Sequence, residues 1–444
     1  MRAGHLWLLS FLVFPLVGAP LLKSRAFRLF GFPTRAVLSA GVGAVLLSWT
    51  MTLFALLRVR WGPLLVLVAA AIAVALRLLS SGNEVSVLSP RSWGEGPGGG
   101  RPSSGTLIAY SLTTLSLLAA LLATVAGRST SSDLILFWGA KAQQFALART
   151  IDASFLSAPY MEYLHVYYPP LVTNVFAFPA MIAGRFPWGA AAQTFPLLLA
   201  ATAIALAGIL KTESTPPRAA ATAALATCAI ALLGIYASVA GNAEPFLMFF
   251  EILGLALLVT PIARSTEGKL LAGLLFAGAA TSKVEGLVFV LAAGVLFTLI
   301  ERDAARPAGR TLLLLFAPTI VALGTWFAFG EARHLFSGYH GYGSLLALRL
   351  GSLPTILSDV GVALWKAGYA LPWLVPLVVL LLVSGKNRRA LLPVATAVAI
   401  AGFLLFTYLT TEAIPRVLIA WSAARVLSPV SALFALASGV RDAR

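Results

Sequence analysis

The sequence predicts an all-α polytopic membrane protein, on three observations. Of 444 residues, 59% are hydrophobic and 11% charged, with a mean hydropathy of +0.91. That leaves too little polar surface for a water-soluble globule, and the apolar runs reach the length that crosses a bilayer core. The 32 Lys and Arg against 16 Asp and Glu give a net charge of +16. They fall in short bursts between apolar runs, the pattern of positive-inside loops, so no nucleic-acid partner is expected. Cys228 is the single cysteine, and the four histidines show no HExxH spacing, which excludes a disulfide framework, a cysteine-based metal cluster and a zincin.

The chain begins with one Arg and a short apolar run, but Lys23, Arg25, Arg28 and Arg35 follow that run instead of leading it. No small-x-small cleavage site precedes Leu21, so the run reads as a first span with its N-terminus outside, not as a signal peptide. Apolar length then places about 13 spans, near 6–22, 36–57, 62–79, 106–127, 189–210, 218–240, 245–262, 268–282, 285–301, 311–329, 361–384, 390–411 and 416–438. Short basic loops at 23–35, 211–218, 264–269, 301–310, 386–389 and 441–444 orient them with those loops in the cytoplasm. Arg58 and Arg60 fall on the opposite side and run against the scheme. The stretch 80–105, with its Gly run at 98–100 and scattered Ser and Pro, reads as a flexible cytoplasmic linker. It separates a three-span N-terminal extension, 1–105, from a main membrane region, 106–444.

One long polar stretch interrupts the apolar pattern, the loop 129–168, which opens the larger outer region 128–188. If that loop is outside and 211–218 inside, an odd number of spans must lie between, yet two apolar runs do, 169–185 and 189–210. The first is shorter, contains Pro169, Pro170, Asn174 and Pro179, and ends at Arg185 and Trp188. It is therefore expected to lie at, or dip into, the outer interface. The outer side then collects the polar groups: the Asp133 loop, the turns at 241–244 and 282–285, the loop 330–359 and the stretch 410–416.

Individual residues in that set can carry chemistry. Asp133 is either a helix cap, with Ser132, or a base near the bilayer surface, where low dielectric raises a carboxyl's pKa. Glu244 precedes Pro245 at the head of an apolar run, where Asn242 would be the N-cap and the acid would sit in the first turn. Lys283 and Glu285 lie between two runs too short to span comfortably, which suits either an interfacial lysine or a cation aimed at a phosphate. Arg425 stands near the middle of the last run, where a charge is normally paired or functional, and Glu251 is a candidate partner. His165, His334 and His340, with Glu162 or Glu244, form a weak metal-ligand pattern, since only Glu162 and His165 have helical spacing. The aromatic loop at 336–343, with Tyr339, His340 and Tyr342, suits a lid over a sugar or an interfacial aromatic belt.

These pieces, in order, resemble the GT-C superfamily of polyprenyl-phosphate-sugar-dependent glycosyltransferases, among them the protein O-mannosyltransferases and the lipid A aminoarabinose transferase. The resemblance rests on Asp133 opening the first large outer loop, Tyr168-Pro169-Pro170-Leu171, Glu244-Pro245, the Gly-x-x-x-Ser-Lys-x-Glu-Gly stretch from Gly278 to Gly286, and Ser422-x-x-Arg425-x-Leu427-x-Pro429. It covers roughly Ala109 to the C-terminus and implies a GT-C-like bundle with interfacial helices in the first large outer loop. It implies an inverting hexosyl or pentosyl transferase with Asp133 as catalytic base, Glu244 assisting, and Lys283 and Arg425 binding the donor phosphate. Trp138, Lys141, Tyr168, Glu285 and His340 would be substrate-binding. The implied partners are a polyprenyl-phosphate sugar donor, an acceptor of unknown class (lipid, glycan or protein) and the lipid bilayer. Metal use varies in the superfamily, so a divalent metal is not carried over. The chain departs from the pattern in its three leading spans, in Glu at position 244 and in lacking a soluble domain after Arg444. Abundant Ala, and Arg in excess over Lys, suit a GC-rich bacterial genome, so the expected location is a bacterial cytoplasmic membrane with the site facing outward. The alternative reading is a transporter or flippase, supported by the intramembrane charge and the interrupted pair 268–301.

Overall fold

The computed structural model describes residues 2–80, 104–127, 132–158, 165–212, 214–235, 241–300, 308–336, 349–366, 388–410 and 415–440, and within them every regular element is helical. In chain order these are α1 (Arg2–Ser10), α2 (Val13–Leu22), α3 (Phe32–Leu56), α4 (Pro63–Ser80), α5 (Ser104–Gly127), α6 (Gly139–Ala148), α7 (Ala153–Leu156), α8 (Leu171–Ala183) and α9 (Trp188–Leu210). There follow α10 (Pro216–Ile235), α11 (Glu244–Leu258), α12 (Thr266–Ser282), α13 (Val284–Ile300), α14 (Ala308–Ala332), α15 (Leu353–Lys366), α16 (Leu391–Thr410), α17 (Pro415–Val426) and α18 (Ser428–Gly439). Residues 367–384 of the expected span 361–384, the loop holding His340, Glu162 and most of the 80–105 linker lie outside the described residues, and 361–366 end α15.

Eight helices among the described residues are long and apolar enough to cross a membrane. The protein is thus membrane-embedded and all-α; the expected spans 218–240 and 361–384 run into residues outside the described ones, so the eight are a count of the described residues against the thirteen expected. The runs read as spans at 245–262, 268–282 and 285–301 form helices of 15, 17 and 17 residues. At 1.5 Å per residue none reaches the roughly 30 Å of a hydrocarbon core. The expected first span is one of the eight, His5–Leu22, with a turn at Phe11–Leu12 between α1 and α2. The last run contributes Ser422–Gly439 to the eight, and within it a turn at Leu427 separates α17 from α18, where Pro429 can begin a helix but cannot continue one.

Packing is organised around α11, whose 15 residues are all buried, against α9, α12, α13 and α18. Its sequence, GluProPheLeuMetPhePheGluIleLeuGlyLeuAlaLeuLeu, is apolar on every side, as a helix surrounded by other helices must be. Around it, α12 packs on α14 and α3, α10 bridges α5, α9 and α18, and α16 packs on α13 and α18. α12 starts where Ser265 Oγ accepts from the Gly268 N–H at 2.9 Å and ends at Lys283, whose backbone turns to an extended conformation.

The helix expected at the outer interface is α8. Its 13 residues span only about 20 Å, so it is short for a crossing. It is not laid on a lipid surface, however, since Leu171 through Ala180 are buried beneath α6 and against α1 and α3. Asn174 explains part of this placement: its amide nitrogen donates to Ser48 O (3.2 Å) and Ser48 Oγ (3.1 Å) on α3. A polar side chain whose amide hydrogens are bonded to another helix is a reason to be inside the protein instead of against lipid.

Contacts between helix ends sort the loops onto two faces. Trp61 N–H, just after Arg58 and Arg60, donates to Arg149 O at 2.8 Å, so that turn sits with the Asp133 loop. Trp326, near the end of α14, donates through Nε1 to Tyr167 O at 3.2 Å. On the other face, Arg218 donates to Ser438 O at 2.6 Å and Lys269 to Thr311 Oγ1 at 3.1 Å.

Candidate functional site

Asp133 opens a six-residue π-helical turn, Asp133–Trp138, that runs into α6. The Gly139 N–H closes the turn on the Leu134 carbonyl five residues back, and π turns often occur at functional positions. Only glycine fits at 139, because a β-carbon would stand 2.5 Å from both Leu134 O and the Trp188 ring. Ser132 makes no side-chain capping bond, and the Asp133 carboxylate turns to Arg425 instead, so the helix-cap alternative is not what the structure adopts.

Four further residues, from three segments, bring charge to that carboxylate. Arg425, in the last turn of α17, donates through Nη1 to Asp133 Oδ2 at 2.8 Å and to Asn242 Oδ1 at 3.0 Å. Its Nε stands 3.2 Å from Glu244 Oε1. Glu244 Oε1 also accepts from Lys283 Nζ at 3.0 Å, and Lys283 Nζ lies 2.9 Å from Glu285 Oε1. The result is one chain, Asp133–Arg425–Glu244–Lys283–Glu285, in which each cation sits between two carboxylates. Lys283 and Glu244 are 9% and 4% exposed at their side chains, whereas Arg425 and Asp133 are 26% and 35% exposed. The chain is therefore dry on the side of Glu244, Lys283 and Glu285 and most accessible at its Asp133 end.

Local structure accounts for each position. The break at Leu427 makes Arg425 the end of a helix, where the helix dipole favours a cation, not a charge in mid-span. Glu244 occupies the first turn of α11, with Pro245 behind it, where the same dipole favours an acid. Asn242 does not cap α11, as its spacing suggested; the N-cap is Ala243 without a side-chain bond, and Asn242 instead accepts from Arg425. Gly241, at φ +124, makes the turn that delivers it. Glu251, the candidate partner of Arg425, is buried deeper in α11, and Arg425 takes Asp133, Glu244 and Asn242 in its place. Lys283 is buried and paired, so it is not an interfacial lysine.

Asp133 is held above the ordinary aspartate value, by burial first, with the Arg425 guanidinium opposing and the Glu244 carboxylate adding to the rise. Lys141, in α6, is 3% exposed and driven down to about 7 by burial. Its Nζ lies 3.9 Å from the Phe137 ring centroid and 4.9 Å from that of Trp138, an arrangement that suits a cation held by aromatic faces.

The remaining expected site residues fall in two groups. Trp138 and Tyr168 are both buried and stacked on one another at 6.0 Å, so they form the wall behind the site. Glu285 belongs to the ion-pair chain itself, and His340 lies outside the described residues. Among the described residues no three of His, Cys, Asp and Glu are grouped as metal ligands, and His165 pairs with Tyr167 instead. Sequence reasoning missed Asn242 as a contact of Arg425. It also missed Tyr408, whose hydroxyl lies 3.0 Å from Ser422 Oγ, one turn before Arg425. No spacing signal marks Tyr408, since it comes from α16 and meets Ser422 only in the folded bundle.

Comparison with protein-family models, curated proteins and solved structures finds no match. Fold and site define a membrane-embedded, all-α protein with a buried five-residue ion-pair chain assembled from distant parts of the sequence.

Proposed function

We propose that this protein is a membrane glycosyltransferase that moves a sugar from a polyprenyl-phosphate donor to a lipid, glycan or protein acceptor at the outer face of a bacterial cytoplasmic membrane. The observation that carries the reading is the ion-pair chain, in which a carboxylate of raised pKa, Asp133, adjoins two cations, Arg425 and Lys283, through Glu244. The resemblance to the GT-C superfamily attaches the same roles to these four residues.

The chemistry asks for these groups. A polyprenyl-phosphate sugar keeps its tail in lipid, and its phosphate leaves with negative charge that needs a fixed cation in low dielectric. The acceptor hydroxyl must lose its proton as it attacks. In the proposed reaction the acceptor oxygen bonds to the anomeric carbon in line, and the bond from that carbon to the phosphate oxygen breaks. Its electron pair stays on the polyprenyl phosphate, and the hydroxyl proton passes to Asp133. Arg425 and Lys283 stabilise the departing phosphate, and Glu244 holds both cations in register before the donor arrives. Three carboxylates face two cations, so Asp133, at the accessible end, is the group most readily released by Arg425 when a phosphate competes for it.

The test is transfer of labelled sugar by the purified protein in detergent, with a panel of polyprenyl-phosphate hexoses and pentoses and total membrane lipid, glycan and protein fractions as acceptors. Label in one acceptor fraction from one donor supports the reading. Label that stays on every donor, together with uptake of a lipid-linked sugar into proteoliposomes, would favour a transporter.

A further inference from the structure

Beside the ion-pair chain stands a second set of polar groups. Among the rings of the outer loop, Phe137, Trp138 and Tyr168 are buried, but His165 is exposed. The His165 ring meets Phe137 edge-on at 5.3 Å, and Phe137 lies one turn beyond Asp133 in the π-helical segment. Its backbone has φ +45, a left-handed conformation that few residues other than glycine adopt without a compensating contact. Two contacts hold it: Tyr168 N–H donates to His165 O at 3.0 Å, and His165 Nδ1 lies 2.8 Å from the Tyr167 hydroxyl. Tyr167 is itself anchored from α14, since its carbonyl accepts from Trp326 Nε1.

We propose that His165 and Tyr167 form a subsite for the hydroxyl groups of a sugar, next to the charged chain. The inference rests on the glycosyltransferase reading and adds to it the residues that recognise the carbohydrate. With Nδ1 committed to Tyr167, Nε2 is the remaining polar atom of the imidazole. The pair offers a donor and an acceptor side by side at the exposed edge of the buried rings, which suits the hydroxyls along the edge of a pyranose. Partial loss of hydration around the ring first, and then the positive charges of Lys141 and Lys283, hold His165 below the ordinary imidazole value, with Glu285 opposing. That shift favours the uncharged ring, which hydrogen-bonds a neutral hydroxyl without attracting the phosphate.

The experiment uses the full chain labelled with 13C,15N-histidine in detergent, where the four histidines give few imidazole signals and His165→Gln assigns one of them. The probes are a polyprenyl-phosphate hexose, a polyprenyl-phosphate pentose, polyprenyl phosphate without sugar, and a methyl hexoside. The expected result is a shift of the His165 signal with a sugar-bearing probe that bare polyprenyl phosphate does not produce. Tyr167→Phe is expected to weaken sugar-lipid binding about fivefold and leave binding of the bare lipid unchanged, as for one lost hydrogen bond. A response to the sugar-bearing lipids assigns the subsite to the donor, and a response to the methyl hexoside alone assigns it to the acceptor. Equal shifts with and without sugar, or none with any probe, would overturn the inference whether or not the protein transfers sugar. A sugar-dependent shift in a protein that transfers to no acceptor would leave the subsite standing and remove the transferase reading.

Discussion

Arg425 Nη1 donates to Asp133 Oδ2 at 2.8 Å across 292 residues of sequence. That bond joins the start of the first outer loop to the end of the penultimate described helix. It also fixes Asp133, Glu244, Lys283 and Arg425 on one face of the bundle, because Arg425 and Lys283 share Glu244 Oε1.

Breaking the dry end should cost more stability than breaking the accessible end. Lys283→Met leaves Glu285 without its cation and Glu244 with Arg425 alone, and should lower stability by about 3–5 kcal/mol, the usual cost of removing one partner of a buried pair. Arg425→Met acts on partners that are a quarter to a third exposed and should cost about half of that. Adding Glu244→Gln to Lys283→Met should recover part of the lost stability without restoring transfer. Thermal unfolding in one detergent checks the order, and equal losses for the two single variants would show that burial does not grade the chain.

The acid limb of the transfer rate should report Asp133. A base works only when ionised, so the rate falls as pH drops through its pKa, and burial sets that pKa above an ordinary aspartate's. Glu244 raises it and Arg425 lowers it. Glu244→Gln should therefore move the limb of the residual rate to lower pH, and Arg425→Gln should move it to higher pH. Shifts of one sign for both variants would mean that another group titrates.

How legible the site was in sequence depends on the residue. Lys283 and Arg425 stand out because charge inside apolar runs is costly and calls for a reason. The helices themselves follow from apolar length. Convergence was not legible, since nothing local records that positions 133 and 425 meet. Asn242 was obscured because an Asn two residues before Glu244-Pro245 looks like a cap, and only tertiary structure shows its carbonyl facing a guanidinium. The π-helical turn at Asp133 uses residues that would also make an α-helix. The break at Leu427 did leave a signal in Ser428-Pro429, but Arg425 in a long apolar run drew the reading toward mid-span.

Lys141 should make stability depend on pH. Its folded pKa of about 7 lies below the usual lysine value, so between those two values the unfolded chain binds a proton that the folded protein does not. Stability contributed by this residue should therefore be lowest below about pH 7 and rise as pH climbs toward 10. Lys141→Met removes the dependence, so the variant should be the more stable protein at pH 6 by a few degrees, with the gap closing by pH 9. A gap that widens with pH would contradict this.

The most direct measurement compares sugar transfer by the wild type and by Asp133→Asn, both purified in detergent and shown to unfold at similar temperatures, with the donor that the panel identifies. Asparagine keeps the shape and can still accept from Arg425, but it cannot take a proton. The account predicts a rate reduced by about a hundredfold or more, as expected for a lost general base, with donor binding retained. Wild-type turnover by that variant would contradict it.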